Sequence, residues 1–221
     1  MNWAAVKLLI TDFDGCWTDD AVYVDQNGIE SVRCLRADGF GITRLQAAGV
    51  PVIVLSAEVN PVVAARCKKL GVRCYQGLGT HKVPETKLQV LMALSSGHLP
   101  GCANTPLSEV AYMGNDVNDI ECLKAVGFPI VVPNAEKAVF DALGVQEPNP
   151  GSSTVVRGRL RRVNYLDHYT HPSGYPPGSR PRGSSTVRDD DRTYYVTSRA
   201  GGYGAVREVC DLILEARNAH A

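Results

Sequence analysis

The segment VKLLITDFDGCWT, residues 6–18, carries the pattern that decides how this chain folds. Its first half, 6–11, is almost uninterrupted in apolar residues, as expected for a strand covered on both faces of a parallel sheet. The strand then ends at Asp12, and Asp14 and Gly15 follow at once. Polar residues directly after a buried strand point to the carboxyl edge of a sheet, which is where open α/β sheets bind their ligands.

Outward from this segment, short apolar runs alternate with helical patterns as far as residue 142. The alternation is typical of βαβ units stacked around a parallel sheet. We therefore expect an α/β fold, a Rossmann-like three-layer sandwich with a central parallel sheet. The expected strands are 6–11, 52–55, 72–75, 109–113, 129–132 and 193–197. The expected helices are 42–48, 61–70, 84–94, 120–125, 135–143 and 205–216.

A small β-hairpin is expected to protrude from the sheet soon after the first strand. Segments 21–24 and 31–34 flank the sequence DQNG at 25–28, and Asn-Gly is a strong hairpin signal. An isolated hairpin is only marginally stable in water, so this one is expected to pack against something else. The sequence offers no large cap domain beside it.

Composition excludes several classes of function. The chain has 221 residues, and its 23 Lys and Arg balance 23 Asp and Glu, which argues against broad attraction to nucleic acid or to an anionic membrane. No apolar run reaches the length of a membrane span, and residues 1–10 lack the pattern of a signal peptide, so we expect a cytoplasmic protein. The seven cysteines lack zinc-site spacing and are expected to be reduced thiols.

A segment of about 144–192 differs from the rest of the chain, since it is rich in proline and arginine and weak in periodicity. It also contains an imperfect repeat that begins GSSTV at 151 and again at 183. Two interpretations stay open: a mobile insertion, which we favour, or a basic arm for an acidic partner.

Acidic, amide and hydroxyl side chains recur after several expected strands. Converging carboxylates repel each other unless a hard cation lies between them, and Mg²⁺ prefers such oxygen ligands. Each motif alone also fits a turn or a helix cap, but their joint order on successive strands favours a common site. The candidates are Asp12, Asp14, Ser56, Asn115, Asp116 and Asp119.

The motifs resemble those of the haloacid dehalogenase (HAD) superfamily of phosphohydrolases. DFDGCWT at 12–18 resembles its first motif, Leu55 and Ser56 its second, a lysine at the start of a later helix its third, and GNDVND at 114–119 its fourth. The short gap between the first two motifs and the tail at 195–209 resemble the capless octulosonate 8-phosphate phosphatase branch. That branch includes nonulosonate 9-phosphate phosphatases and the carboxy-terminal domain of some acylneuraminate cytidylyltransferases. The resemblance implies one HAD-like domain over 1–221, interrupted by the insertion.

The resemblance implies a two-step phosphoryl transfer. Asp12 would attack phosphorus and form an aspartyl phosphate, while Asp14 would act as general acid and then general base. Ser56 and a lysine would bind the transferring phosphoryl group. Lys87, which begins an amphipathic helix, fits the third motif better than Lys82, but both lysines remain candidates.

Mg²⁺ is the implied cofactor, with Asp12, Asp14, Asn115 and Asp116 as its expected ligands and Asp119 in support. Many relatives have aspartate where this chain has Asn115, and an amide brings no formal charge to the metal. The alternative to a phosphatase is therefore a weakly catalytic or non-catalytic HAD-fold assembly domain associated with acylneuraminate cytidylyltransferase.

The implied substrate is a phosphorylated 2-keto-3-deoxy sugar acid, an octulosonate 8-phosphate or a nonulosonate 9-phosphate of lipopolysaccharide or sialic acid biosynthesis. Glu58 and Lys69 favour the nine-carbon sugar, although a solvated pair of helix charges explains them almost as well. Without a cap, another subunit is expected to enclose the site, and relatives suggest a homotetramer. The expected substrate-binding residues are Thr18, Ser56, Ala57, Glu58, Lys69 and Lys87.

Overall fold

A computed structural model of the chain describes residues 1–99, 104–147, 154–160 and 190–219. Within these ranges the strands of a central sheet are β1 (Leu8–Thr11), β4 (Val52–Leu55), β5 (Arg73–Tyr75), β6 (Val110–Gly114), β7 (Phe128–Val131), β8 (Thr154–Leu160) and β9 (Asp190–Val196). Their order across the sheet is β5-β4-β1-β6-β7-β9-β8. The first six strands of that order are parallel, and β8 adds antiparallel to β9 at the edge. The expected parallel α/β sheet is confirmed.

Helices cover both faces of the sheet. They are α1 (Arg36–Ala47), α2 (Val62–Lys69), α3 (Lys87–Ser95), α4 (Ile120–Ala125), α5 (Lys137–Leu143) and α6 (Ala205–Asn218). Side chains alternate along β1, so that Leu9 packs with α1, α2 and α6 while Leu8 and Ile10 pack with α3, α4 and α5. The result is the expected three-layer sandwich with an apolar core on each side.

The hairpin forms where the sequence places it. Strands β2 (Tyr23–Val24) and β3 (Glu30–Ser31) pair antiparallel as a separate two-stranded sheet. Asp25 organises the turn, since its Oδ1 accepts the backbone N–H groups of Asn27 at 2.8 Å and Ile29 at 2.9 Å. Several apolar side chains of the hairpin are exposed, namely Val22, Tyr23, Val24 and Ile29.

Helix α1 and strand β8 depart from the sequence expectations. α1 begins at Arg36, six residues before the expected start, because Asp38, Gly39 and Gly41 are accommodated inside the helix. Both glycines lie close to side chains of neighbouring helices: a Cβ on Gly39 would meet Leu70, and one on Gly41 would meet Arg207. β8 lies inside the segment expected to be an insertion, of which 148–153 and 161–189 lie outside the described residues.

None of the helices in the described ranges combines the length and apolarity needed to cross a lipid bilayer.

Candidate active site

The candidate site lies at the carboxyl edge of the sheet, where β1, β4 and β6 end side by side. β1 pairs with β4 on one side and β6 on the other, so the residues after all three strands reach one place. There they surround an open cavity of about 380 Å³. Its lining consists of Asp12, Asp14, Asp20, Ser56, Ala57, Glu58, Val59, Thr80, Asn115, Asp116 and Asn118. The cavity therefore joins the first, second and fourth motifs of the sequence.

Asp12 lies at the base of this cavity and is only 6% exposed. Its Oδ1 accepts the backbone N–H of Phe13 at 2.7 Å, and its Oδ2 lies 2.8 Å from the Nζ of Lys87. Burial raises the pKa of Asp12 and the neighbouring Asp119 adds to this effect, whereas Lys87 and the Phe13 N–H oppose it. The Lys87 contact is thus the main interaction that favours the ionised carboxylate of Asp12.

Lys87 reaches Asp12 because α3 begins at this lysine. Thr86 caps the helix in a capping box with Gln89, which fixes the first turn of α3 and the direction of the lysine. The buried Nζ donates to Asp119 Oδ1 at 2.8 Å and to Asn118 Oδ1 at 3.1 Å. Burial lowers the pKa of Lys87, but the carboxylates of Asp12 and Asp119 outweigh burial and raise it, so Lys87 is a cation.

Of the two candidate lysines, Lys87 is the one that the structure brings to Asp12. Lys82 lies in the loop before α3 and is exposed.

Asp119 holds the loop of the fourth motif together. Its Oδ2 accepts the backbone N–H groups of Asn115 at 3.0 Å and Asp116 at 3.2 Å, and its Oδ1 accepts the hydroxyl of Tyr112 at 2.6 Å. Asp119 is fully buried, so these bonds and Lys87 together compensate its charge. The structure thus places Asp119 against the backbone of Asn115 and Asp116, and its supporting role at a metal stays a prediction. Tyr112 and Asn118 were not predicted, and the only available signal was a tyrosine in an otherwise apolar strand.

Asp14 faces the cavity from the loop after β1. Burial raises its pKa, and the negative charges of Glu58 and Asp20 raise it further. Thr18, expected to bind substrate, is instead fully buried, and its hydroxyl accepts the backbone N–H of Gly15 at 3.2 Å. The same hydroxyl donates to Asp14 Oδ1 at 3.4 Å. Thr18 thus shapes the loop that presents Asp14.

Three groups are arranged to hold a cation. One terminal atom of the Asn115 amide lies 3.3 Å from Asp12 Oδ2 and 2.8 Å from the carbonyl oxygen of Asp14. Neighbouring ligands of an octahedral Mg²⁺ with bonds of 2.0–2.1 Å are about 2.9 Å apart, so this spacing fits the ion. Asp116 also borders the cavity, but its Oδ1 accepts the Val117 N–H at 2.6 Å. Among the described residues no three or more His, Cys, Asp or Glu side chains are placed to hold a metal, so the expected carboxylates of Asp12, Asp14 and Asp116 do not form such a cluster.

The second motif contributes Ser56 and Glu58 to the cavity. Ser56 is 1% exposed, and its Oγ accepts the Glu58 N–H at 3.0 Å. Glu58 Oε1 accepts the N–H groups of Val59 and Asn60, each at 2.6 Å, so the carboxylate also shapes its own loop. Lys69 does not line the cavity that contains Glu58. Lys69 lies at the end of α2 and lines a different cavity together with Arg36 and Arg66. The expected Glu58–Lys69 pair is therefore not assembled in one cavity of a single chain.

The glycine-rich tail packs against the loop that carries Asp12 and Asp14. The Gly202 N–H donates to the Cys16 carbonyl at 3.1 Å, and Asn134 joins the two segments by accepting the Gly201 N–H and donating to the Gly15 carbonyl. A Cβ on Gly201 would collide with the backbone of Gly15, so only glycine permits this approach. The tail thus supports the site of its own chain.

Comparisons with known proteins agree with this geometry. No family model matches the chain. The 3-deoxy-D-manno-octulosonate 8-phosphate phosphatases KdsC of Salmonella typhi and Escherichia coli K12 are each 27% identical to it over 213 residues, or 96% of this chain and 81% of theirs. A crystal structure from Streptomyces avermitilis, described as a HAD family hydrolase, superposes with a TM-score of 0.64 at 29% identity, covering 95% of this chain and 86% of its own.

A further structure similar to this chain is the 3-deoxy-D-manno-octulosonate 8-phosphate phosphatase of Moraxella catarrhalis, in complex with magnesium, phosphate and KDO. Its TM-score is 0.66 at 25% identity, over 98% of this chain and 90% of its own. Fold, motifs and relatives together support a hydrolase of the HAD superfamily. The chain is similar to the KdsC phosphatases, which confirms the resemblance seen in the sequence and the expected class of enzyme, a phosphatase.

Proposed function

We propose that this chain is a Mg²⁺-dependent phosphatase that hydrolyses a phosphorylated 2-keto-3-deoxy sugar acid through a phosphate ester of Asp12. The observation that carries the proposal is the position of Asp12, whose buried carboxylate meets the Lys87 cation at 2.8 Å beside the Asp14 carbonyl and the Asn115 amide. A structural carboxylate does not need to face both a buried cation and an open cavity. A nucleophile that attacks an anionic phosphoryl group needs both.

In the first proposed step, Asp12 forms a bond to phosphorus while the bond from phosphorus to the sugar oxygen breaks. Asp14 gives its proton to that leaving oxygen, and its raised pKa favours the protonated form that this role requires. In the second step Asp14 takes a proton from water and the water oxygen bonds to phosphorus. The bond from phosphorus to the Asp12 oxygen breaks, which frees the Asp12 carboxylate and releases inorganic phosphate. Ser56 and Lys87 orient the phosphoryl oxygens in both steps.

Asp12, the Asp14 carbonyl and Asn115 are the proposed holders of Mg²⁺, with Asp116 bordering the same place. The ion neutralises phosphoryl charge when it is bound.

The relatives support an octulosonate 8-phosphate as substrate, whereas Glu58 in the cavity supports a nonulosonate 9-phosphate. Either sugar acid belongs to the biosynthesis of lipopolysaccharide or sialic acid.

In the described part of the chain the cavity lining contains no lysine or arginine, although the proposed substrate carries a carboxylate. A neighbouring subunit is therefore proposed to supply the cation that pairs with the substrate carboxylate. The exposed apolar hairpin offers a surface on which a homotetramer could assemble. We expect the enzyme in the cytoplasm.

The alternative is a HAD-fold assembly domain with little or no catalysis, as in acylneuraminate cytidylyltransferases, and Asn115 is the residue that favours it. One experiment separates the two. Phosphate release is measured from octulosonate and nonulosonate phosphates, with Mg²⁺ or with EDTA, for wild type, Asp12→Asn and the exposed control Asp141→Asn.

A phosphatase releases phosphate only with Mg²⁺, loses about 10³-fold or more of its rate with Asp12→Asn, and keeps its rate with Asp141→Asn. No turnover by a wild-type oligomer would favour the assembly domain.

A further inference from the structure

The side chain of Asn115 occupies a narrow slot at the end of β6. Its backbone is fixed on both sides, since the N–H donates to Asp119 Oδ2 at 3.0 Å and the carbonyl accepts the Glu136 N–H at 2.8 Å. The amide packs directly on Gly15, where a Cβ would collide with it, and Asn115 is 4% exposed. A turn about the Cβ–Cγ bond exchanges the amide oxygen and nitrogen without moving this backbone.

Each orientation of the amide suits a different state of the site. With Oδ1 toward Asp12 Oδ2 and the Asp14 carbonyl, three oxygens face one another at 2.8 and 3.3 Å. The Cys16 thiol donates to Oδ1 only at 3.9 Å, so a cation between the three oxygens stabilises this orientation far better. In that orientation the Nδ2 group faces hydrogen-bond donors, so it gains no partner in exchange.

With the amide turned over, Nδ2 donates to Asp12 Oδ2 at 3.3 Å and to the Asp14 carbonyl at 2.8 Å. The Oδ1 atom then faces the donors on the other side of the slot. The Nδ2 group then has two hydrogen-bond acceptors without a metal ion. An aspartate in this slot has no such orientation, because an ionised carboxylate only accepts hydrogen bonds.

We propose that the Asn115 amide turns over by about 180° when a divalent cation binds, because oxygen and nitrogen exchange places in a nearly isosteric group. In the metal-free protein its N–H groups replace the cation by bridging Asp12 and Asp14. In the metal-bound protein its oxygen is a ligand. This inference rests on the metal site of the proposed function and adds that Asn115 sets metal affinity: the cation must displace two hydrogen bonds, so the chain binds metal weakly and stays folded without it.

The first test observes the amide itself. Side-chain ¹⁵N–¹H signals of Asn115 are assigned by their loss in Asn115→Asp and followed during a MgCl₂ titration of EDTA-treated protein. We expect slow hydrogen exchange without metal, and a shift with faster exchange when Mg²⁺ is added. Signals that stay unchanged when calorimetry shows bound Mg²⁺ would overturn the inference.

The second test compares wild type, Asn115→Asp and Asn27→Asp, a control that adds the same charge in the exposed hairpin turn. We expect Asn115→Asp to melt at a lower temperature in EDTA, and to bind Mg²⁺ about tenfold more tightly because a charged ligand replaces an amide. Equal melting temperatures and equal affinities in all three proteins would contradict the inference.

Failure of the proposed function has a different signature. Wild-type protein would then release no phosphate from the sugar phosphates, or bind no Mg²⁺ in calorimetry, whatever the behaviour of the amide.

Discussion

Lys87 is the residue on which the charge balance of the site depends. Its Nζ lies 2.8 Å from both Asp12 and Asp119, and both carboxylates are buried. Replacing Lys87 by methionine leaves two buried carboxylates without their cation. We expect the unfolding free energy to fall by about 3–5 kcal/mol and phosphate release to be lost.

Urea unfolding and phosphate release measure these two effects. Lys82→Met is the matched control, and because Lys82 is exposed its expected effect on stability is within about 0.5 kcal/mol. Loss of phosphate release with Lys82→Met, and not with Lys87→Met, would assign the third motif to Lys82.

Asp38 is a second residue with a testable ionisation. It is 2% exposed in α1, its Oδ1 accepts the Arg207 N–H at 2.9 Å, and its Oδ2 has no hydrogen-bond partner within the described ranges. Burial raises the pKa of Asp38 to about 6, against the hydrogen bond from Arg207 and the charges of Arg66, Arg199 and Arg207. The folded protein therefore binds this proton more tightly than the unfolded chain does.

The contribution of Asp38 to stability is greatest below about pH 4, its unfolded pKa, and is lost as the pH rises through about 6. Asp38→Asn removes the ionisation and keeps an oxygen for the Arg207 N–H. We expect the variant to be more stable than wild type by about 2–3 kcal/mol at pH 8, and nearly equal to it at pH 4. Unfolding curves across this range check the result. A constant difference at every pH, or the same change in Asp141→Asn, would contradict it.

Among the elements, the loop before α6 has the most direct link to Asp12. Gly201→Ala places a methyl group against the Gly15 backbone, so the loop that carries Asp12 and Asp14 must shift. Because a small displacement of the reacting groups lowers the rate of reaction strongly, we expect the rate of phosphate release to fall about 10²-fold. Gly39→Ala is the control, because there the new methyl meets the flexible side chains of Leu70 and Arg66. Equal rates in the two variants would show that the tail does not position the site.

The sequence predicted helices and strands well where neighbouring residues determine their bounds. It predicted them poorly where contacts with distant parts of the chain determine the bounds. Residues 52–55 form a strand with the expected bounds because their apolar run is continuous. The start of α1 was missed because two glycines disfavour helix, and only contacts with α2 and α6 explain their presence. β8 was missed although Thr154, Val155 and Val156 favour a strand, since the surrounding prolines and arginines dominate the pattern.

At the scale of the whole molecule, the segment 161–189 is attached away from the candidate site. β9 runs parallel to β7 and its Val196 end lies at the carboxyl edge, so its first residue, Asp190, lies at the opposite edge. Leu160 pairs with Asp190, and the segment therefore leaves and re-enters the sheet at that opposite edge.

Replacing 161–189 by an Asn-Gly turn joins two residues that are already paired. We expect stability to change by less than about 1 kcal/mol and phosphate release to remain near the wild-type rate. Thermal unfolding and phosphate release are the measurements. Deleting 144–192 is the contrasting variant, since it also removes β8 and the start of β9 and should destabilise the fold. Loss of activity in the short replacement alone would give the segment a part in catalysis.

The sequence predicted part of the candidate site. Asp12, Asp14, Ser56 and Asn115 follow strands that are neighbours in the sheet, so sheet topology brings them together, whereas Thr18 and Lys69 do not line the cavity. The hydroxyl of Tyr112 at Asp119 and the separation of Lys69 from Glu58 depend on side-chain direction and helix placement, which spacing along the chain does not determine.

Chemical trapping of the intermediate tests the central claim most directly. Wild-type protein is mixed with Mg²⁺ and the preferred sugar phosphate, quenched in acid and reduced with borohydride, which converts an aspartyl phosphate to homoserine that mass spectrometry can locate. We predict the conversion at Asp12, dependent on Mg²⁺ and absent in Asp12→Asn. Turnover with the trapped group on another residue, or an Asp12→Asn variant that hydrolyses the substrate at the wild-type rate, would contradict it.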